Sequence, residues 1–186
     1  MLKSDNFKLP TDWSRDGRYL IYREIDAKTK YDLWVLPLDG KQQPFPFLQT
    51  EANEAAAALS PDGQWLAYAS DESGNYAVYI QSFPSGGGKR QISTGGGIGQ
   101  QWRGDGKELY YHGPDGKLMA APVTSGTSLE VGTPVALFEF RAGGNLITPY
   151  YSVTREGQRF LLSTIVQTET AAPLTVVVNW TANLRR

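Results

Sequence analysis

Four turns that end in an acidic residue and glycine recur at similar spacing along the chain. They are Ser14-Arg15-Asp16-Gly17, Ser60-Pro61-Asp62-Gly63, Arg103-Gly104-Asp105-Gly106 and Thr154-Arg155-Glu156-Gly157. Recurring carboxylates invite an acid–base reading, since paired Asp and Glu side chains carry proton transfer in many active sites. Turn chemistry accounts for them more simply. Asp tolerates the bridge region and Gly supplies φ > 0, which together make the type I turn plus bulge of a β-hairpin. His112 is the single histidine, following Tyr110-Tyr111, and lacks both a nucleophile elbow and a cluster of metal ligands around it. Asp71-Glu72-Ser73-Gly74-Asn75 gathers oxygen ligands as a calcium loop does, without the alternating carboxylates and distal Glu of an EF-hand. Gly95-Gly96-Gly97-Ile98-Gly99 has no lysine and no following helix to cradle phosphate, and reads as a flexible crossover. These residues point to a chain with no catalytic centre, metal or cofactor of its own.

The elements that would position them are strands. Aligned on the acidic residue, the four turns are spaced 46, 43 and 51 residues apart, near the roughly 40–45 residues of a four-stranded propeller blade. The best-defined unit spans 59–93. After its turn come Trp65-Leu66-Ala67-Tyr68-Ala69 and Ala77-Val78-Tyr79-Ile80, short aromatic and β-branched runs, and a short strand at 89–93. The first repeat fills in as 11–14, 19–24, 31–36 and 43–48. The third runs 99–102, 108–112, 117–123 and 135–140, with a wide loop at 124–132. The fourth offers 148–153, 159–164 and 174–180 and lacks an outer strand. The alanine-rich 54–58 occupies a strand position. The expected fold is all-β, a propeller of about four blades in one domain of residues 1–186, with repeats near 9–50, 51–94, 95–140 and 141–186. Trp13, Trp34, Trp65, Trp102 and Trp180 recur at strand positions and are expected to pack between blade faces.

Composition agrees with this class. The chain has 20 Gly, 11 Pro, 10 Tyr and 5 Trp, and its net charge is -1 from 18 basic and 19 acidic residues. That balance, with no basic run, argues against nucleic acid as the main partner. Absence of cysteine removes disulfides and thiolate chemistry without fixing the compartment. There is no apolar span of 18 residues and no export signal, so no direct membrane insertion is expected.

Ser60-Pro61-Asp62-Gly63-Gln64-Trp65-Leu66-Ala67-Tyr68, with Ser70-Asp71-Glu72-Ser73-Gly74 and Val78-Tyr79-Ile80, resembles the repeat of TolB-type, WD-repeat-like bacterial propellers. Three further stretches are Asp12-Trp13-Ser14-Arg15-Asp16-Gly17 with Tyr31-Asp32-Leu33-Trp34-Val35-Leu36-Pro37, Lys89-Arg90-Gln91-Ile92-Ser93-Thr94-Gly95-Gly96-Gly97, and Val176-Val177-Val178-Asn179-Trp180. They resemble the C-terminal propeller part of acidobacterial-type membrane serine/threonine kinases. That resemblance implies a sensor or interaction role on the extracytoplasmic side of a bacterial membrane protein. The chain carries no glycine-rich nucleotide loop, His-Arg-Asp loop or Asp-Phe-Gly motif, so phosphoryl transfer is not implied. Similar repeats occur in prolyl-oligopeptidase-like peptidases, whose catalytic domain has no counterpart here.

The leading expectation is a non-catalytic module that binds a protein or peptide through loops at one face of the ring. One set of loops contributes Asn6, Glu51, Asn53, Glu54, Gln100, Arg141 and Asn145, and the other Lys30, Asp71 and Asn75. The alternative is the propeller portion of a hydrolase, peptidase or lyase whose catalytic residues lie elsewhere. The incomplete fourth repeat leaves an edge to satisfy. Residues 1–7 could lend it a strand and close the ring. Pairing with a second copy through the terminal blades, or a place within a longer propeller, is the expectation favoured over closure.

Overall fold

The computed structural model describes residues 6–126, 128–143, 151–165 and 175–178. Among these there are sixteen strands and no helix, gathered into four antiparallel sheets that follow one another along the chain. The first sheet is β1 (Lys8–Trp13), β2 (Tyr19–Asp26), β3 (Lys30–Pro37) and β4 (Phe45–Leu48), in that order. The second is β5 (Glu54–Leu59), β6 (Trp65–Ser70), β7 (Ala77–Ser82) and β8 (Arg90–Gln91). The third begins with β9 (Ile98–Trp102), β10 (Glu108–His112) and β11 (Lys117–Ser125). Its outer edge is shared by β12 (Leu129–Val131) and β13 (Val135–Glu139), which pair with different parts of β11. The fourth is β14 (Tyr151–Val153), β15 (Arg159–Leu162) and β16 (Thr175–Val178). This is the blade pattern of a β-propeller.

The four turns are built alike. Gly17, Gly63, Gly106 and Gly157 all have φ between 69° and 76°. Each donates its amide to the carbonyl three residues back, at 2.8–2.9 Å. In the first two repeats a serine completes the motif: Ser14 and Ser60 donate to Asp16 and Asp62, and accept from the amides of Tyr19 and Trp65. The turn aspartates therefore cap hairpins. Asp16 is held down to about 2, first by the Arg18 amide and then by the Ser14 hydroxyl and the Arg18 side chain. Asp105 is held at about 2 chiefly by the Arg103 guanidinium.

Packing lies between consecutive sheets. Ile21, Leu33 and Val35 of the first meet Ala57, Leu66, Tyr68 and Tyr79 of the second. Ala67, Val78 and Ile80, from the other face of the second sheet, meet Trp102, Leu109, Tyr111 and Val123 of the third. Tyr110, Leu118 and Ala120 then meet Tyr151, Phe160 and Leu162 of the fourth. Strand β6 is accordingly buried on both faces, so its sequence runs apolar without a gap. Each fully buried Leu or Ile contributes about 1.5–3 kcal/mol.

Several expectations change. The stretch 124–132 is no wide loop: β11 continues to Ser125 and pairs with β12, because Leu129 is drawn into the core between the second and third sheets. The glycine run is no flexible crossover. Gly97 donates to the Tyr76 carbonyl at 2.8 Å, and Ile98 and Gly99 already belong to β9. The outer strand of the second sheet shortens to two residues, since Ser93 turns its hydroxyl to the Val78 amide. Trp13 is 61% exposed instead of packed between blades, and Trp180 lies outside the described residues. Asn6 and Phe7 serve the first sheet: the Phe7 carbonyl accepts from the Ile25 amide and Asn6 donates to Glu24. The rest of the 1–7 segment lies outside the described residues.

Candidate functional site

The innermost strands β1, β5 and β9 stand side by side and line a cavity of about 410 Å³ along the axis of the array. All three depart from regular pairing at the same level. The register shifts around Thr11 in β1, around Ala56 and Ala57 in β5, and around Gly99 and Gln100 in β9. These bulged residues all line the cavity. Ala56 and Gly99 occupy matching places and both are left-handed, with φ of 51° and 69°. A bulge sets two residues against one and turns a side chain that would otherwise point into a blade. Here Gln100 reaches the Ala67 carbonyl of β6 in the neighbouring sheet.

Side chains from these strands clasp neighbouring blades. Asp12 Oδ2 accepts from the Leu59 amide at 2.6 Å. Trp102 Nε1 donates to the Ala58 carbonyl at 3.1 Å, and Gln101 Nε2 donates to the Tyr151 carbonyl. Asp12 Oδ1 takes the Trp13 amide at 2.8 Å. Burial raises the Asp12 carboxyl above its usual range; the two amides and the neighbouring Arg15 pull the other way. Arg15 Nη1 donates to the Gly104 carbonyl at 3.0 Å.

Two polar groups in the wall are only partly satisfied. Gln100 is 3% exposed; its Nε2 donates to the Ala67 carbonyl at 3.3 Å, while its Oε1 has no partner among the described residues. Arg23, opposite Leu9 in the β1–β2 ladder, is 4% exposed. Its guanidinium carbon lies 4.4 Å from the centre of the Tyr31 ring, and its Nε has no hydrogen-bond partner among the described residues.

The loop residues singled out from the sequence fall in separate places. Asn53 and Asp71 join directly: the Asn53 amide and Nδ2 each donate to an Asp71 oxygen at 2.7 Å. Burial works to raise Asp71, but the Asn53 bonds and the Lys30 charge outweigh it and hold it below the usual carboxylate range. Both oxygens are thus engaged within the fold. Glu54 is 1% exposed, accepts from Thr50 Oγ1 at 2.5 Å, and is pushed up to about 7, mainly by burial. Lys30 is left-handed at φ 70° and exposed. Glu51, Asn75 and Arg141 are exposed at other points, and Asn145 lies outside the described residues. Of the ten, Gln100 lines the axial cavity. Arg23, Asp12, Arg15, Gln101 and Trp102 were not singled out for it. The signal for Arg23 was available: it shares a strand face with Ile21 and Ile25, where a charge is out of place. His112 packs on Phe140, ring centres 4.7 Å apart. Among the described residues no group of three or more His, Cys, Asp or Glu could hold a metal ion, and no helix is long and apolar enough to cross a membrane.

No family model and no curated protein matches the chain at the sequence level. Solved structures do match in fold. TolB from Acinetobacter baumannii aligns at TM-score 0.53 and 16% identity, over 96% of this chain and 53% of that one. An oligogalacturonate lyase in complex with manganese aligns at TM-score 0.68 and 14% identity, over 97% of this chain and 53% of that one. A Mycobacterium tuberculosis puromycin-hydrolyzing peptidase aligns at TM-score 0.61 and 19% identity, over 84% of this chain and 28% of that one. The fold is therefore that of the TolB-like, WD-repeat-like propellers, and the chain spans about half the length of the TolB and lyase structures.

Proposed function

We propose that the chain is a propeller module that binds a protein partner non-catalytically, by taking one of its segments against the axial cavity. The carrying observation is the cavity of about 410 Å³ between β1, β5 and β9, within the size range of small-ligand sites. Its polar groups suit binding better than proton transfer. Guanidinium and carboxamide groups do not exchange protons near neutrality. Asp12, the carboxylate in the wall, has both oxygens engaged by main-chain amides. Exposed Trp13 at the same cavity supplies a flat apolar surface of the kind that anchors partner chains.

A second reading, the propeller part of a longer hydrolase, draws on one observation: the chain matches 28% of a peptidase. A peptide selected from a random-sequence display library tests the first reading. Hydrogen exchange in the complex is expected to slow in β1, β5 and β9. Protection confined to the outer strands β4 and β8, or turnover of the peptide by the purified chain, would overturn it.

A further inference from the structure

Asp39 is one of five aspartates that precede a glycine, with Asp16, Asp62, Asp105 and Asp115. In such a pair no Cβ screens the glycine nitrogen, and that nitrogen can close a ring on the aspartate carboxyl carbon. Four of the five are guarded on both sides of the reaction. The amides of Gly17, Gly63, Gly106 and Gly116 donate to the carbonyls of Ser14, Ser60, Arg103 and Gly113, at 2.9, 2.8, 2.9 and 3.2 Å. Each of these four aspartates also accepts at Oδ1 from the amide two residues on. Their Oδ2 atoms are engaged as well: Asp16 by Arg18 Nε, Asp105 by Arg103 Nη2, Asp115 by Lys117 Nζ, and Asp62 by a longer 3.5 Å contact with Ser125 Oγ.

Asp39-Gly40, in the exposed connection from β3 to β4, has neither guard. The Gly40 amide donates no hydrogen bond to a described residue, and Asp39 Oδ2 meets none of them. Oδ1 is held by two main-chain donors, the Lys41 amide at 2.9 Å and the Gln42 amide at 3.1 Å. Paired N–H groups on one oxygen steady negative charge that develops there. Gly40 is left-handed at φ 71°, and a Cβ built on it would meet nothing within 4 Å. The peptide nitrogen therefore has open space in which to swing toward the carboxyl carbon.

We infer that Asp39-Gly40 is a self-modification site, at which the Gly40 nitrogen closes on the Asp39 carboxyl carbon and the ring reopens to isoaspartate. The steps need no co-reactant but water. The reacting form is the neutral carboxyl, with its proton on Oδ2. The Gly40 nitrogen bonds to Cγ and releases its proton, while charge gathers on Oδ1 under the Lys41 and Gln42 amides. A proton returns from solvent to the Oδ2 hydroxyl, the Cγ–Oδ2 bond breaks and water leaves. The cyclic imide then takes up one water at either carbonyl. Opening on one side restores aspartate. Opening on the other routes the main chain through the side-chain carbon and lengthens the β3–β4 connection by one atom. Because the same two amides hold the Asp39 carboxyl below the usual carboxylate range, its neutral form belongs to acidic solution.

The test ages the folded chain in mildly acidic buffer, with a parallel sample in denaturant, and maps the peptides of both by mass. In the folded chain, loss of one water and then resistance to a protease that cuts before aspartate are expected at Asp39. They should run roughly tenfold or more ahead of the other four sites. In denaturant the five should react at comparable rates, because the turns that guard four of them are gone. A folded Asp39→Asn chain should pass through the same imide at neutral pH, with ammonia leaving in place of water. It should outpace Asp62→Asn, whose glycine amide stays bonded to the Ser60 carbonyl. Equal conversion of the five sites in the folded chain overturns the inference, as does an Asp39 left intact while the denatured chain reacts, or Asp62→Asn reacting first. A lead for Asp39 that persists undiminished in denaturant overturns it too, since flanking sequence and not folded geometry would then set the rate.

Discussion

Arg15 Nη1 reaches the Gly104 carbonyl at 3.0 Å, so the turn of the first blade touches the turn of the third. The Gly104 amide donates in turn to the Arg155 carbonyl at 2.9 Å, tying the third turn to the fourth. The hub is therefore narrow at this end, and one arginine spans it. Truncation by Arg15→Ala is expected to cost about 1 kcal/mol and to lower the melting temperature by about 2–4 °C. Calorimetry checks this, and an unchanged transition would show that the span carries no stability.

Glycine substitutions should separate two kinds of constraint. At Gly63 a Cβ would meet nothing within 4 Å, so the cost is only the left-handed φ of 69°. Gly63→Ala should lose about 1–2 kcal/mol. At Gly104 a Cβ would overlap the Arg155 main chain, which cannot move without shifting the fourth blade. Gly104→Ala should lose up to about 3 kcal/mol and increase exchange in β14 and β15. Denaturant unfolding of the two variants reads the order, and a reversed order would contradict the close approach of the turns.

Glu54 predicts a pH dependence of definite sign. Its folded carboxyl lies at about 7 against 4.5 unfolded, chiefly through burial. Between these values the folded state binds more protons than the unfolded one, so stability falls as pH rises. The penalty is absent below about pH 4.5, grows toward pH 7 and is complete above it, of order 3 kcal/mol. Buried Asp32 is raised by the same cause and adds a loss of the same sign. Glu54→Gln should flatten most of the slope while keeping an acceptor for Thr50. Thermal melts from pH 5 to pH 8 provide the check.

Trp13 should behave as a surface residue in folding and as a contact in binding. Being 61% exposed, it should change stability by less than about 0.5 kcal/mol on conversion to Ala. The same change should weaken the selected peptide at least several-fold, read by titration calorimetry. Equal affinity in wild type and Trp13→Ala would remove the indole from the binding surface.

What could be read from the sequence was local. Asp16-Gly17 and its three counterparts announce their turns, because the residues that permit φ > 0 sit at fixed offsets within four positions. The aromatic, apolar run of β6 likewise reads as a strand. The cavity was hidden because its geometry joins distant residues: Asp12 is bonded 47 positions away at Leu59, and Gln100 33 positions away at Ala67. Glu54 looked like a loop residue at the head of an alanine run, since small neighbours give no sign of how deeply they are covered. Gly99 read as part of a glycine crossover and not as a bulge, and Ala56, left-handed at the matching place, carried no mark.

The bulges at Thr11, at Ala56 and Ala57, and at Gly99 and Gln100 interrupt the ladders where the inner strands meet the axis. A residue outside the ladder keeps its peptide group for other uses, so part of the channel wall is written in main chain. Such a wall is insulated from mutation in a way that side chains are not. Beyond their turns the repeats share little sequence, yet three of them bend at one level. Side chains at the channel rim, such as Trp13 and Arg15, can then be exchanged singly while the main-chain receptacle keeps its shape.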